Sequence, residues 1–229
     1  MRALARLFAC ASWVLMFACT TQDSVSLRGR VNFAPPPVAE PEPLLKDHVA
    51  IAKALKQGGY IIYFRHGRTR YDQLELERDN RRAGKLDLNN CETQRQLSDV
   101  GRSELQLAGQ QFRQAAIALD QGFSSLYCRA KESALFFVDS ATPTESLSGE
   151  GEVGLNPANK PRTIAFFSQI PAPGKNHFMM AHGGIFWEAT GFVIQEAHAV
   201  VMNPRNLKSL VARIAPDEWG DIARAMTRP

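Results

Sequence analysis

The chain has 229 residues, 45% of them hydrophobic and 22% charged, with a formal net charge of +4. That length and apolar content fit one globular domain with appendages and exclude a wholly disordered chain. The small positive balance is no signature of nucleic-acid binding, and it suits a small anionic substrate.

The N-terminus reads as a targeting segment. Arg2 and Arg6 precede an apolar run from Leu7 to Cys19, too short for a comfortable membrane span. Residues 1–19 are therefore expected to be an export signal. Met16-Phe17-Ala18-Cys19 resembles a bacterial lipobox, which would lipidate Cys19 and anchor the protein to a membrane. Ordinary signal cleavage, with a soluble periplasmic product, and an uncleaved anchor are the alternatives. Of four cysteines, Cys10 and Cys19 belong to this signal, so Cys91 and Cys128 remain for the folded part, in a compartment where disulfides persist. Residues 20–43 are polar and then proline-rich, with Pro35-Pro36-Pro37 and Pro41-Glu42-Pro43, and read as a tether. The folded domain is expected over 44–229.

Leu44 to Gln57 reads as a helix, with Val49, Ile51, Ala52 and Leu55 near helical spacing and Gly58-Gly59 as its stop. A buried strand follows at Tyr60–Phe64. Residues 67–96 are polar, show no sustained period and read as a long functional loop. Ser98 caps a clear helix whose apolar side holds Leu105, Ala108, Gly109, Phe112, Ala116 and Leu119. A second strand is expected at Phe123–Cys128, then a helix from Arg129 to about Asp139 and a loop over 140–158. A helix over about 158–170 leads to a third strand at His177–Ala181 and a short helix near 185–190. Strands at 199–202 and 209–214 and a last helix opening at Pro216-Asp217-Glu218-Trp219 close the chain. Alternating strands and helices predict a three-layer α/β/α domain with a mostly parallel sheet. The last two strands, with no helix between them, should form an antiparallel edge.

One pattern recurs at the strand ends. Tyr63-Phe64 runs into Arg65-His66, Tyr127-Cys128 into Arg129, and Met180-Ala181 into His182. Ligands of open parallel sheets bind beyond the carboxyl ends of the strands. If these three strands are parallel neighbours, two arginines and two histidines meet on one rim. Guanidinium forks and imidazoles together make an anion site that suits phosphate.

Arg65-His66-Gly67-Arg68-Thr69 resembles the signature of the histidine phosphatase superfamily, the group that includes phosphoglycerate mutase. Leu97-Ser98-Asp99-Val100-Gly101-Arg102, Ser125-Leu126-Tyr127-Cys128-Arg129-Ala130 and Ala181-His182-Gly183 resemble its later motifs, so the likeness runs from about residue 48 to the C-terminus. Asn90-Cys91-Glu92-Thr93-Gln94-Arg95-Gln96-Leu97 and the closing Val211–Trp219 stretch are similar to a small exported bacterial branch.

The resemblance implies a phosphomonoesterase that needs no metal and no cofactor and acts on a small phosphorylated substrate, not on nucleic acid. His66 would be the phosphoryl acceptor, Arg65 and Arg129 would clamp the phosphoryl oxygens, and His182 would donate to them. Gly67, Thr69 and Arg95 would contact phosphate or substrate. The proton donor to the leaving group is expected among Glu145, Glu150, Glu152, Glu196 and His198, with Glu150 as first choice. The phytase-like branch carries an aspartate where this chain has Gly183, so that acid is lacking. Cys91 and Cys128 are expected to pair and pin the 67–96 segment beside the pocket, whereas His48 and His177 are expected to be structural or surface histidines. Two alternatives stand: a non-catalytic phosphate- or phosphoglycan-binding module of the same fold, and a mutase-like phosphotransferase.

Overall fold

The computed structural model describes residues 44–149 and 160–228. The expected export signal, Cys19 and the tether lie outside the described residues, as do Glu150 and Glu152. Six strands form one sheet: β1 (Ile61–Arg65), β2 (Leu119–Ser125), β3 (Thr142–Thr144), β4 (Asn176–Ala181), β5 (Ala199–Asn203) and β6 (Asn206–Ile214), in the order β3-β2-β4-β1-β5-β6. β3, β2, β4 and β1 run parallel, while β5 and β6 complete an antiparallel edge. The three strands read as neighbours are adjacent, and the sheet is mixed as expected.

Strand periodicity builds the layers. Successive side chains of a strand point to opposite faces. Ile62 and Phe64 of β1, with Phe178 and Met180 of β4, enter one buried cluster with helices α1 (His48–Gln57), α3 (Asp99–Gln114), α4 (Cys128–Leu135) and α7 (Trp219–Met226). Ile61 and Tyr63, with Met179 and Ala181, enter the other with α5 (Lys160–Phe167) and α6 (Gly183–Thr190). The result is a three-layer α/β/α arrangement. Phe64 sits among Phe112, Phe137, Phe178 and Trp219 at ring separations of 4.5–5.6 Å, which fixes the backbone directly before Arg65-His66. Truncating such a ring would cost about 3–5 kcal/mol.

Several boundaries differ from the sequence expectation. α1 starts at His48 rather than Leu44, because the Asp47 carboxylate caps it by accepting from the Val49 and Ala50 N–H groups. β2 covers 119–125, not 123–128, and Cys128 opens α4 instead of ending a strand. The 67–96 segment is no featureless loop: it contains α2 (Leu74–Arg82) and short 3-10 turns at 71–73 and 91–93. α2 escaped the periodicity test because its single buried residue is Glu77, so it has no apolar stripe. In 140–149 the short edge strand β3 pairs with β2. Ser98 is the expected N-cap of α3, accepting from Gly101 N at 3.0 Å.

Candidate active site

The parallel register brings the predicted corner together. Arg65 lies opposite Ala181, and both Phe64 of β1 and Ser124 of β2 lie opposite Met180, so Arg65-His66, His182 and Ser125 share the carboxyl rim of the sheet. His66 N donates to Ala181 O at 3.0 Å, tying the ends of β1 and β4 directly. Tyr63 reinforces this tie from the opposite core. Its hydroxyl donates to His182 O at 2.8 Å and accepts from His182 N at 3.0 Å, and burial pushes its pKa up, so it stays neutral. The His66 and His182 rings are 5.2 Å apart, edge to face.

His66 is buried, and its Nδ1 is 2.8 Å from Gly67 O. A carbonyl only accepts, so Nδ1 carries the proton. Burial, then the positive charge of Arg129, the neighbouring His182 and Arg65 hold its pKa well below the usual imidazole value. The ring is thus neutral at pH 7, with its lone pair on Nε2. His182 is also held well below its usual pKa, by burial and then by Arg129, Arg65, Arg95 and Arg81. Its Nε2 lies 2.7 Å from Ser125 Oγ, which also accepts from Tyr127 N at 3.2 Å.

Two arginine–glutamate pairs flank the rings. Arg65 donates to Ile194 O at 3.0 Å and to Glu196 Oε1 at 3.1 Å. Arg129 donates to Glu77 Oε2 at 2.7 Å, and its guanidinium stands 4.5 Å from the centre of the Tyr127 ring. Burial lowers both guanidinium pKa values, and the paired carboxylates oppose it. The Nε atoms of Arg65, Arg95 and Arg129 are all buried without a hydrogen-bond partner among the described residues. Buried donors are rarely left unpaired. All three guanidiniums act on His182, so this corner suits an anion.

The remaining expected residues are placed as follows. Thr69 is buried, with its hydroxyl 3.4 Å from Glu196 Oε1. Gly67 does not turn its backbone donor to the pocket, because its N–H goes to Ser133 Oγ at 3.1 Å. A side chain at Gly67 would collide with Leu105 Cδ1 at 2.5 Å, so α3 rather than a ligand requires glycine there. Of the expected acids, Glu196 reaches the site, while His198 Nδ1 hydrogen-bonds Glu196 O at 3.0 Å. Glu145 is turned to the surface, where it pairs with Arg162 at 3.1 Å. Cys91 and Cys128 form a disulfide. Among the described residues, no group of three or more His, Cys, Asp or Glu side chains is arranged to hold a metal ion. His48 bonds Glu218 at 3.3 Å, and His177 is buried 3.9 Å from Asp120, so each has a structural carboxylate neighbour.

No family model and no curated protein matches the chain. Among solved structures it is similar to the TTHB049 protein of Thermus thermophilus, with 19% identity and a TM-score of 0.46 over 68% of this chain and 99% of that one. It is similar to the phosphoglycerate mutase of the same organism, with 19% identity and a TM-score of 0.46 over 68% and 98%. It is also similar to the protein histidine phosphatase SixA complexed with tungstate, with 13% identity and a TM-score of 0.47 over 69% and 98%. The chemistry proposed below rests on this chain's own residues.

Sequence reasoning missed Glu77. It accepts from the Arg129 side chain and from Arg95 N, both at 2.7 Å, and so joins α2 to the opening of α4. The one trace in the sequence is the i,i+4 spacing of Glu77 and Arg81, which stand 3.8 Å apart. Gln94 was missed as well. It is fully buried, accepts from Cys128 N at 2.9 Å and donates to Asp87 O at 2.9 Å, packing the segment against α4 beside the disulfide.

Proposed function

We propose that this chain is an exported phosphomonoesterase of the histidine phosphatase type. The observation that carries this reading is the pair of neutral imidazoles bracketed by three arginines with unpartnered buried Nε donors. In the first step His66 Nε2 attacks phosphorus, the P–O bond to the leaving group breaks, and the leaving oxygen takes a proton from the acid, which recovers it from the attacking water in the second step. In the second step water attacks the phosphohistidine, the P–N bond breaks, and His66 and inorganic phosphate are restored. Arg65 and Arg129 hold the terminal oxygens, and His182 donates to them as charge moves. Catalysis of phosphoryl transfer rests mainly on such positioning and charge stabilisation.

Of the described carboxyl groups expected to serve as acid, Glu196 is the one in contact with this machinery, through Arg65 and Thr69. Export is supported by the leader-like residues 1–19, with Cys19 as the lipid attachment point, and by the paired Cys91 and Cys128.

The test is hydrolysis of p-nitrophenyl phosphate with acid quenching and peptide mapping. Wild-type protein should carry an acid-labile phosphoryl group on His66. His66→Ala should lose this adduct, and its rate should fall by at least about 10³, beyond the loss typical of one positioned donor. Undiminished turnover in His66→Ala would overturn the assignment.

A further inference from the structure

We propose, building on the phosphatase reading, that Arg81 and Arg95 form an adjoining anion subsite, so that the substrate carries a second anionic group, a carboxylate or a phosphate, near the scissile phosphoryl. α2 places Arg81 one turn after Glu77. Its Nη2 donates to the Tyr127 hydroxyl at 2.9 Å. The Tyr127 ring contacts His182 edge to face at 4.9 Å and carries the Arg129 guanidinium at 4.5 Å. Arg81 therefore stands beside the reaction centre, with one aromatic ring between.

The charges there are uneven. Glu77 Oε2 already accepts from Arg129 and from Arg95 N. Arg81 is 3.8 Å from Glu77 Oε1, an ion pair longer than a hydrogen bond, and its side chain is 24% exposed. Arg95 brings a second guanidinium whose buried Nε makes no hydrogen bond among the described residues. Both charges act on His182 along with those of Arg65 and Arg129. In the mechanism above, Arg65, Arg129 and His182 already serve the terminal phosphoryl oxygens. Arg81 takes no part in that task and the mechanism does not need Arg95 to hold those oxygens, and both residues border Glu77 on the α2 side. Guanidinium forks recognise carboxylate or phosphate by paired charge-assisted hydrogen bonds.

The discriminating substrates are 3-carboxyphenyl phosphate and its neutral isostere 3-carbamoylphenyl phosphate. The wild-type protein should favour the carboxylate in kcat/KM by about tenfold or more, as one charge-assisted contact allows. In Arg81→Gln the ratio should fall to within about threefold of unity, and Arg81→Lys should keep part of it. A role for Arg81 in folding alone would lower both rates and leave the ratio unchanged, which would overturn the subsite. So would equal kcat/KM values in the wild type. Calorimetric binding of the same two compounds to His66→Ala separates this from the phosphatase reading. Tighter binding of the carboxylate without hydrolysis by the wild type would keep the subsite and sink the phosphatase. Equal binding would sink the subsite even if hydrolysis stands.

Discussion

The site has two arginine–glutamate pairs that look alike on paper and differ in their surroundings. Arg65–Glu196 sits on the sheet rim, with side chains 28% and 14% exposed, and Arg65 also has the Ile194 carbonyl. Arg129–Glu77 is sealed between α2 and α4, at 7% and 9%. Water can replace a lost partner in the first pair and has little access to the second. The rim pair is thus a positioning contact that tolerates loss. The sealed pair is a condition for folding α2 over the pocket, since a buried charge without its partner is strongly unfavourable.

The sharpest way to break this comparison is to remove each carboxylate in turn. Glu77→Ala should destabilise the protein by about 3–5 kcal/mol, because it strands the Arg129 charge in a dry site. Glu196→Ala should cost about 1 kcal/mol, because Arg65 keeps a carbonyl and gains water. Urea denaturation monitored by tryptophan fluorescence checks both. Equal costs would mean that burial does not separate the two pairs.

The same contrast governs what could be read from the sequence. The rim half was legible: β1 and β4 are apolar runs with a charged or imidazole residue at their ends, and their order permitted those ends to meet. The α2 half was not. Its decisive residue is a buried glutamate on a helix with no apolar face, and the pattern of apolar residues carries no information about it. Arg129 was expected directly after a strand ending at Cys128, but β2 ends at Ser125 and the chain turns into α4 at Cys128. Gly67 shows the converse error. Its glycine is demanded by Leu105 across a helix contact, which only tertiary packing reveals.

Removing the covalent brace should sharpen the difference between the halves. The Cys91–Cys128 bridge closes a separation of 37 residues and ends one residue before Arg129. In the chain-entropy view, such a loop contributes about 3–4 kcal/mol. The Cys91→Ser, Cys128→Ser double variant should lose that stability in urea. Its hydrogen-exchange protection should fall most in α2 and the 91–96 stretch, with β1 and β4 little changed. Uniform loss across the sheet would show that the brace serves the whole domain rather than the α2 side.

An effect visible only at acid pH comes from the two rings between the pairs. Their folded pKa values lie below the unfolded imidazole value, so they bind fewer protons in the folded state than in the unfolded chain. Above about pH 6.5 both states are neutral and the rings add no pH dependence. As pH falls below that value the unfolded chain takes up protons that the folded site refuses, and stability is lost. For a ring that stays neutral, the loss at pH 5.5 is about 1.4 kcal/mol. His66, 2% exposed, should approach that figure, and the less covered His182 should add less. Comparing wild type with His66→Gln between pH 7.5 and 5.5 isolates the term, since glutamine does not titrate. The variant should lose less stability across that range. An equal slope in the two proteins would mean that His66 is protonated in the folded site at mild acid pH, and the neutral nucleophile on which the rim depends would have to be abandoned.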